Sequence, residues 1–154
     1  MNQITDIRAQ AGQPLPVERI KDSLPALRGQ WIQSAEEAEK TRVALAKLSE
    51  VAEPSWVGQR VVTMLSHYFV SDIHPAAQEA VARDWMVELA RFPDWAIDAA
   101  VSWWLSRQNE NRRKKPMPGD ISERAHIEMA IVRIAQSKIE QFERYGDNPP
   151  TFMK

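Results

Sequence analysis

Apolar residues recur at alternating steps of three and four along most of this chain, which is the spacing of amphipathic helices. The clearest example begins at Pro54, because proline is favoured in the first turn of a helix. The residues that share its apolar face are Val57, Val61, Met64, Leu65 and Tyr68. No segment alternates polar and apolar residues for the length of a strand, so the pattern predicts an all-α fold.

Further helices are predicted over residues 75–92, 93–108 and 118–145. Each begins at a proline, and Gly146 is a natural stop for the last of them. The first of these helices has one predicted buried stripe, which consists of Val81, Trp85, Leu89 and Phe92. The short connection at Pro93 predicts a tight corner between two successive helices.

The N-terminal third of the chain has a weaker pattern. Two short helices are predicted at Ile4–Gln10 and Val17–Leu27, with prolines between them, and a longer run of helix formers follows Gly29. The apolar seam of this longer helix is Trp31, Ser34, Ala38, Thr41, Leu45, Leu48 and Ala52. Because the seam is rich in small and hydroxylated residues, we expect the helix to pack lightly on the body of the protein or on a second copy.

These patterns divide the chain into three predicted parts. An N-terminal helical arm covers residues 1–53, a core domain covers 54–146, and a tail covers 147–154. The length of 154 residues is that of one ordinary domain, and 44% hydrophobic with 27% charged residues is typical of globular proteins. The core is therefore predicted to be a compact bundle of about four helices.

The helix over residues 93–108 has apolar residues on two opposite sides. One side carries Ile97, Ala100, Val101, Trp104 and Leu105, and the other carries Trp95, Ala99 and Trp103. Two interpretations stay open. Either this is the central helix of the bundle, with the arm covering its second face, or Trp95, Ala99 and Trp103 bind a protein partner, since Trp is enriched at interface hot spots.

The predicted last helix is also apolar on more than one side. Its regular stripe is Ile121, Ala125, Met129, Val132, Ala135, Ile139 and Phe142. A second stripe, offset from the first, is formed by Ile127, Ile131 and Ile134. The second stripe would be covered by the arm, by a protein partner or by a second copy in a homodimer.

The charge composition limits the kinds of partner. Twenty Lys and Arg residues face 21 Asp and Glu, which gives a net charge of −1 and excludes a general polyanion binder. The first 16 residues lack the apolar core of a signal peptide, and no apolar run approaches the roughly 20 residues that span a bilayer. We therefore expect a cytoplasmic protein that does not bind membranes.

The residues that usually carry enzyme chemistry are missing or scattered. The five glycines stand apart, so neither a phosphate-binding loop nor a dinucleotide-binding turn can be built. There is no cysteine, and the three histidines, His67, His74 and His126, lack the paired spacing of metal ligands. We expect a protein that is not an enzyme and has no cofactor and no metal site.

One segment of the chain concentrates charge of a single sign. Residues 107–115 carry a net charge of +4, from Arg107, Arg112, Arg113, Lys114 and Lys115 against Glu110. Such cations can neutralise nucleic-acid phosphates, and without an aromatic platform in the loop no base-specific reading is expected. The alternative is that the loop is only a solvated connection between two helices.

The segment over residues 80–125 has a specific order of features. A Trp and a Leu four residues apart precede a Pro, an apolar helix with paired Ala, a charged loop and a Pro-x-Pro-x-Asp-Ile start of a helix. The matching positions are Trp85, Leu89, Pro93, Ala99, Ala100, Pro116, Pro118, Asp120 and Ile121. In this order the segment resembles small helical phage replication proteins of the helicase loader and inhibitor type. The resemblance implies an all-helical domain that binds a hexameric replicative helicase, helps deliver it to an origin and has no nucleotide site.

The resemblance and the charged loop together predict an accessory protein of phage or prophage DNA replication in the host cytoplasm. It would be a non-enzymatic adaptor that binds a replicative helicase or initiator and contacts DNA through the loop. Two other classes stay open: a small phage protein that binds and inhibits a host factor, such as a host-defence component, and a homodimeric helical protein that binds DNA directly.

Overall fold

The structure is a computed structural model and describes residues 19, 24, 31–69, 72–148 and 151. Apart from Arg19 and Leu24, the two short helices predicted before residue 28 lie outside these residues. The described part of the chain contains six helices: α1 (Ala35–Leu48), α2 (Pro54–Leu65), α3 (Pro75–Leu89), α4 (Asp94–Leu105), α5 (Pro118–Glu128) and α6 (Ala130–Tyr145). It contains no strand, so the predicted all-α fold is confirmed.

Proline and local side-chain hydrogen bonds determine where the helices begin and end. Pro54, Pro75 and Pro118 lie in the first turns of α2, α3 and α5, as predicted. The helices α3 and α4 end three residues earlier than predicted, at Leu89 and Leu105. At the end of α4 the backbone of Ser106 is extended, and the Trp103 carbonyl accepts from both the Ser106 backbone N–H at 3.1 Å and Ser106 Oγ at 2.7 Å.

The predicted long helix over residues 118–145 is two helices that meet at Met129. Met129 has φ −69° and ψ −4°, and its carbonyl accepts from Val132 N at 3.1 Å, which is the tighter i to i+3 turn. The break has a packing reason, because α5 packs on α3 and α4 whereas α6 packs on α1.

The helix α4 lies at the centre of the hydrophobic core. Its side chains Ile97, Ala100 and Val101 are completely buried. On the opposite side, Trp95 is only 4% exposed, and its indole Nε1 donates to the Leu48 carbonyl at the end of α1 at 2.8 Å. The end of the arm therefore covers the second face at Trp95, as in the first interpretation, whereas Trp103 on the same face lies against Arg124 of α5.

The predicted seam of the arm is confirmed for five of its seven residues, whereas Trp31 is half-buried and Ser34 is exposed as the N-cap of α1. Its buried members are Ala38, Thr41, Leu45, Leu48 and Ala52. The helix α1 packs through this seam on α6, and Trp31 Nε1 donates to the Gly146 carbonyl at 3.3 Å. The division into a 1–53 arm and a 54–146 core stays a prediction, and the described part of the arm shares one hydrophobic core with the later helices.

The prediction that Val81 of α3 belongs to the core is wrong. Trp85, Leu89 and Phe92 are buried, but Val81, predicted in the same stripe, is 37% exposed. The contacts of α3 with α5 involve its C-terminal half, where Glu88 accepts from Ser122 Oγ at 2.9 Å. None of the helices in the described ranges is both long and apolar enough to cross a membrane.

We expect Gly146→Ala to lower the free energy of unfolding by about 1–3 kcal/mol, because Gly146 has φ 65° and ψ −148°, a region that is strained for any side chain. Gly119→Ala is the matched control. A Cβ meets nothing within 4 Å at either position, but Gly119 is helical, so its replacement should leave the unfolding free energy equal or higher. Denaturant unfolding measures both, and an equal effect of the two variants would contradict the backbone argument.

Candidate functional site

The charged loop between α4 and α5 is built around one buried polar residue. Asn109 is only 3% exposed, and its Nδ2 donates to the carbonyl of Trp104 at 2.9 Å. Its Oδ1 accepts from the Asn111 backbone N–H at 3.0 Å. The side chain thus satisfies a carbonyl at the end of α4 and also closes the first turn of the loop.

Two aromatic side chains hold the rest of the loop backbone. Trp104 Nε1 donates to the Lys114 carbonyl at 3.2 Å, and the Tyr68 hydroxyl, which follows α2, donates to the Arg112 carbonyl at 2.7 Å. The loop ends at Pro116, which is buried, and the Asp120 carboxylate then accepts from the Met117 backbone N–H at 2.8 Å. The loop is therefore braced at both ends and in its middle.

The loop cations face solvent. Arg107, Arg113, Lys114 and Lys115 are exposed, and Arg112 is half-buried, with its Nη1 donating to the Asn109 carbonyl at 3.3 Å. None of the five cations has an ion-pair partner among residues 31–69 and 72–148. Because these charges are not neutralised by the surrounding protein, the loop presents a local positive potential on a chain with almost no net charge.

The loop contributes cations to two different concave surfaces. Arg112 and Arg113 line a hollow of about 420 Å³ together with His67, Tyr68 and Leu105. Lys115 instead lines a larger groove of about 550 Å³. The five cations therefore do not form one surface, because Arg107 and Lys114 line neither the hollow nor the groove.

The larger surface, which we call the α2–α3 groove, lies between these two helices. Its apolar lining includes Val61, Val62, Leu65, Val81, Trp85 and Met86. Val61 and Trp85 belong to the core, whereas Val62 is 68% exposed. The groove is therefore an apolar surface that no described part of the chain covers, and surfaces of this kind are where proteins bind partners.

The structure corrects the predicted partner site at Trp95. This side chain is buried between α4 and α1, so it cannot be reached by a partner in this conformation. Ala99 and Trp103 are half-buried, and the Arg124 guanidinium lies 4.3 Å from the ring centroid of Trp103. Burial of Trp95 by the arm means that these three residues do not form an exposed apolar face.

Sequence reasoning missed the α2–α3 groove. Val62 lies outside the predicted stripe of α2, and Val81 is wrongly predicted to be buried. The features of the sequence that could have indicated the groove are Gly58, which is unfavourable inside a helix, and the apolar Val62 four residues later. Neither residue identifies a groove until the position of α3 is known.

Within the described residues, no three His, Asp or Glu side chains come together in a group that could hold a metal ion. The histidines lie apart: His67 lines the smaller hollow, His74 Nδ1 accepts from the Ala76 backbone N–H at 3.2 Å at the start of α3, and His126 is exposed on α5. The arrangement that the structure does bring together, exposed cations beside an apolar groove, is suited to binding.

We expect Asn109→Ala to lower the free energy of unfolding by about 1–3 kcal/mol, because the Trp104 carbonyl loses its donor in a buried position. The loop should also be cut faster by trypsin, which cleaves after Arg and Lys. Asn111→Ala is the matched control, since that side chain is exposed and makes none of these contacts. Equal trypsin cleavage rates in the two variants would contradict the bracing role of Asn109.

No protein-family model, curated protein or solved structure matches this chain.

Proposed function

We propose that the protein is a non-enzymatic adaptor of phage or prophage DNA replication that acts in the host cytoplasm. In this proposal the braced basic loop contacts DNA phosphates, and a separate surface binds a replicative helicase or initiator. The observation that carries the proposal is that five cations stand on a fixed backbone without ion-pair partners in the described part of the chain.

The geometry of the loop favours phosphate as its ligand. Because the loop backbone is already held, binding costs mainly the rotamer freedom of the exposed cationic side chains, and neutralising phosphates releases counterions from the DNA. Arg112, Arg113 and His67 surround one hollow, where N–H groups can donate to phosphate oxygens. The loop offers no aromatic side chain for base stacking, so the contact we propose is independent of base sequence.

The resemblance to helicase loaders supports the adaptor role through the loop and its flanking helices. Most of its matching positions are core residues here; for example, Leu89, Ala100 and Ile121 are completely buried. These residues hold α3, α4 and α5 together and do not contact a partner themselves. The resemblance therefore supports a shared scaffold, and the identity of the partner is the part that an experiment must decide.

We expect the double variant Arg113→Gln/Lys114→Gln to reduce DNA affinity and to make the slope of log K against log salt shallower by about 2, since each phosphate contact contributes roughly 0.9 for duplex DNA. The measurement is fluorescence anisotropy with a short duplex between about 50 and 200 mM salt. Both residues are exposed and neither side chain braces the loop, so the fold should be unaffected.

The matched control for this double variant is Lys40→Gln/Lys47→Gln on α1, which removes the same charge from exposed positions away from the loop. It should leave the salt slope unchanged. If the two double variants weaken binding equally, or if the unmodified protein does not bind DNA at the lowest salt, the phosphate-binding role of the loop is wrong.

The partner is tested by affinity purification from a lysate of the native host, with nuclease present and the retained proteins identified by mass spectrometry. Retention of a replicative helicase or initiator would support the proposal. Retention of a defence or transcription component would replace it with inhibition of a host factor. If no partner is retained, light scattering shows a dimer and the protein alone binds DNA, the alternative of a homodimeric DNA-binding protein replaces the proposal.

A further inference from the structure

The α2–α3 groove has the length and lining of a site for a helix. We infer that it binds an amphipathic helix of a partner protein, with apolar residues facing the groove and acidic residues facing the basic loop. The inference rests on the proposed function in one respect, the existence of a protein partner. It does not depend on DNA binding by the loop.

The dimensions of the groove match the contact surface of a short helix. Gly58 and Ser66 mark the extent of its α2 wall, which corresponds to about 12 Å of helix at 1.5 Å per residue. Apolar residues at positions i, i+3, i+4 and i+7 of a docked helix span about 10.5 Å on the same scale. The α2 wall of the groove is therefore about as long as two turns of a helix.

The lining of the groove combines a fixed base with adaptable and exposed apolar side chains. Val61 and Trp85 are core residues and hold the base of the groove in place. Val62 and Val81 rise on its two sides and are 68% and 37% exposed. Met86 is half-buried, and its flexible thioether can adjust to the shape of a bound side chain. Covering these residues would remove apolar surface from water, which favours association.

Gly58 leaves bare backbone in the α2 wall of the groove. It lies inside α2, where glycine is less favourable than alanine by about 1 kcal/mol. A Cβ built at this position meets nothing within 4 Å, so no packing in the described part of the chain requires glycine there. Bare backbone at the wall of a groove permits the close approach of another helix.

The charge at the groove defines the chemistry of the occupant. Lys115 lines the groove and is exposed, and Arg113 and Lys114 precede it on the same braced loop. Asp72 also lines the groove, so the charges of the lining itself balance and the adjoining loop makes the local charge positive. A helix with carboxylates beside its apolar stripe would gain electrostatic complementarity here.

The experiment is a display selection of random peptides of about 16 residues, just over four helical turns, against the full chain. We expect the enriched peptides to carry apolar residues at i, i+3, i+4 and i+7 and to have a net negative charge. In anisotropy measurements with an enriched peptide, Val62→Asp and Lys115→Glu should each raise Kd by about tenfold or more, which is at least 1.4 kcal/mol. The peptide for the anisotropy measurements is chosen only from those that the selection enriches.

Val87→Asp is the matched control, because Val87 is 71% exposed on α3 and does not line the groove. It introduces the same charge at equal exposure, and Kd should change by less than about twofold, as for an ordinary surface substitution. Gly58→Leu is a second test. A leucine there replaces bare backbone with a strong helix former, so it should maintain the thermal stability of the protein while blocking the peptide.

Several results would overturn the inference: no enriched peptide, enriched peptides without net negative charge, or equal effects of Val62→Asp and Val87→Asp. A dimer that dissociates on Val62→Asp would also overturn it, since a second copy would then occupy the groove. Val62→Asp should leave DNA affinity unchanged. If no peptide binds the groove but the protein binds DNA and retains a helicase, the proposed function stands and the inference is wrong. If a peptide binds the groove but the protein neither binds DNA nor retains a helicase, only the proposed function is wrong.

Discussion

The architecture depends on the requirement to bury α4 on two opposite sides. A helix with tryptophan on one side and Ile97, Ala100 and Val101 on the other cannot lie at the surface of a small bundle without exposing one of them. The fold meets this requirement by placing the end of α1 against Trp95, whose indole donates to the Leu48 carbonyl. The position of α1 then provides a packing surface for α6.

The same central helix also positions the candidate site. Its last turn carries Trp104, which is part of the core and at the same time donates to the Lys114 carbonyl. The side chain of Trp104 therefore connects the basic loop to the most buried part of the molecule. Tyr68 makes the equivalent connection from α2, which is also one wall of the groove. Hydrogen bonds from Trp104 and Tyr68 thus connect the loop to the core and to the end of the helix that forms one wall of the groove.

Helical periodicity predicted most of the fold because it depends on local spacing. The seam of α1, the proline starts of three helices and the end at Gly146 all follow from neighbouring residues. The break at Met129 could not be predicted, since the sequence there has no helix breaker and the cause is that α5 and α6 pack on different neighbours. The helical periodicity of α4 left two interpretations of its second apolar face open. Periodicity shows which residues are apolar, and it does not show which other element covers them.

The candidate site was predictable only in part for the same reason. Residues 112–115 are visible as a charge cluster in the sequence, but their bracing depends on Tyr68, which lies 44 positions from Arg112. The α2–α3 groove depends on where α3 lies beside α2, and single-helix patterns contain no such information. Val81 illustrates this: its spacing matches a buried stripe, and its exposure is determined by the end of the neighbouring packing surface.

The basic loop is held mainly through its backbone, so evolutionary selection can change most of its side chains without changing its conformation. The bracing contacts at Arg112 and Lys114 are made to backbone carbonyls, which every amino acid has, while most of the charged side chains point into solvent. The fold would accept many other residues at these positions with little loss of stability. Arg112 is the exception, since its side chain donates to the Asn109 carbonyl. The folded chain does not itself require the charges of Arg113, Lys114 and Lys115, whose side chains are exposed.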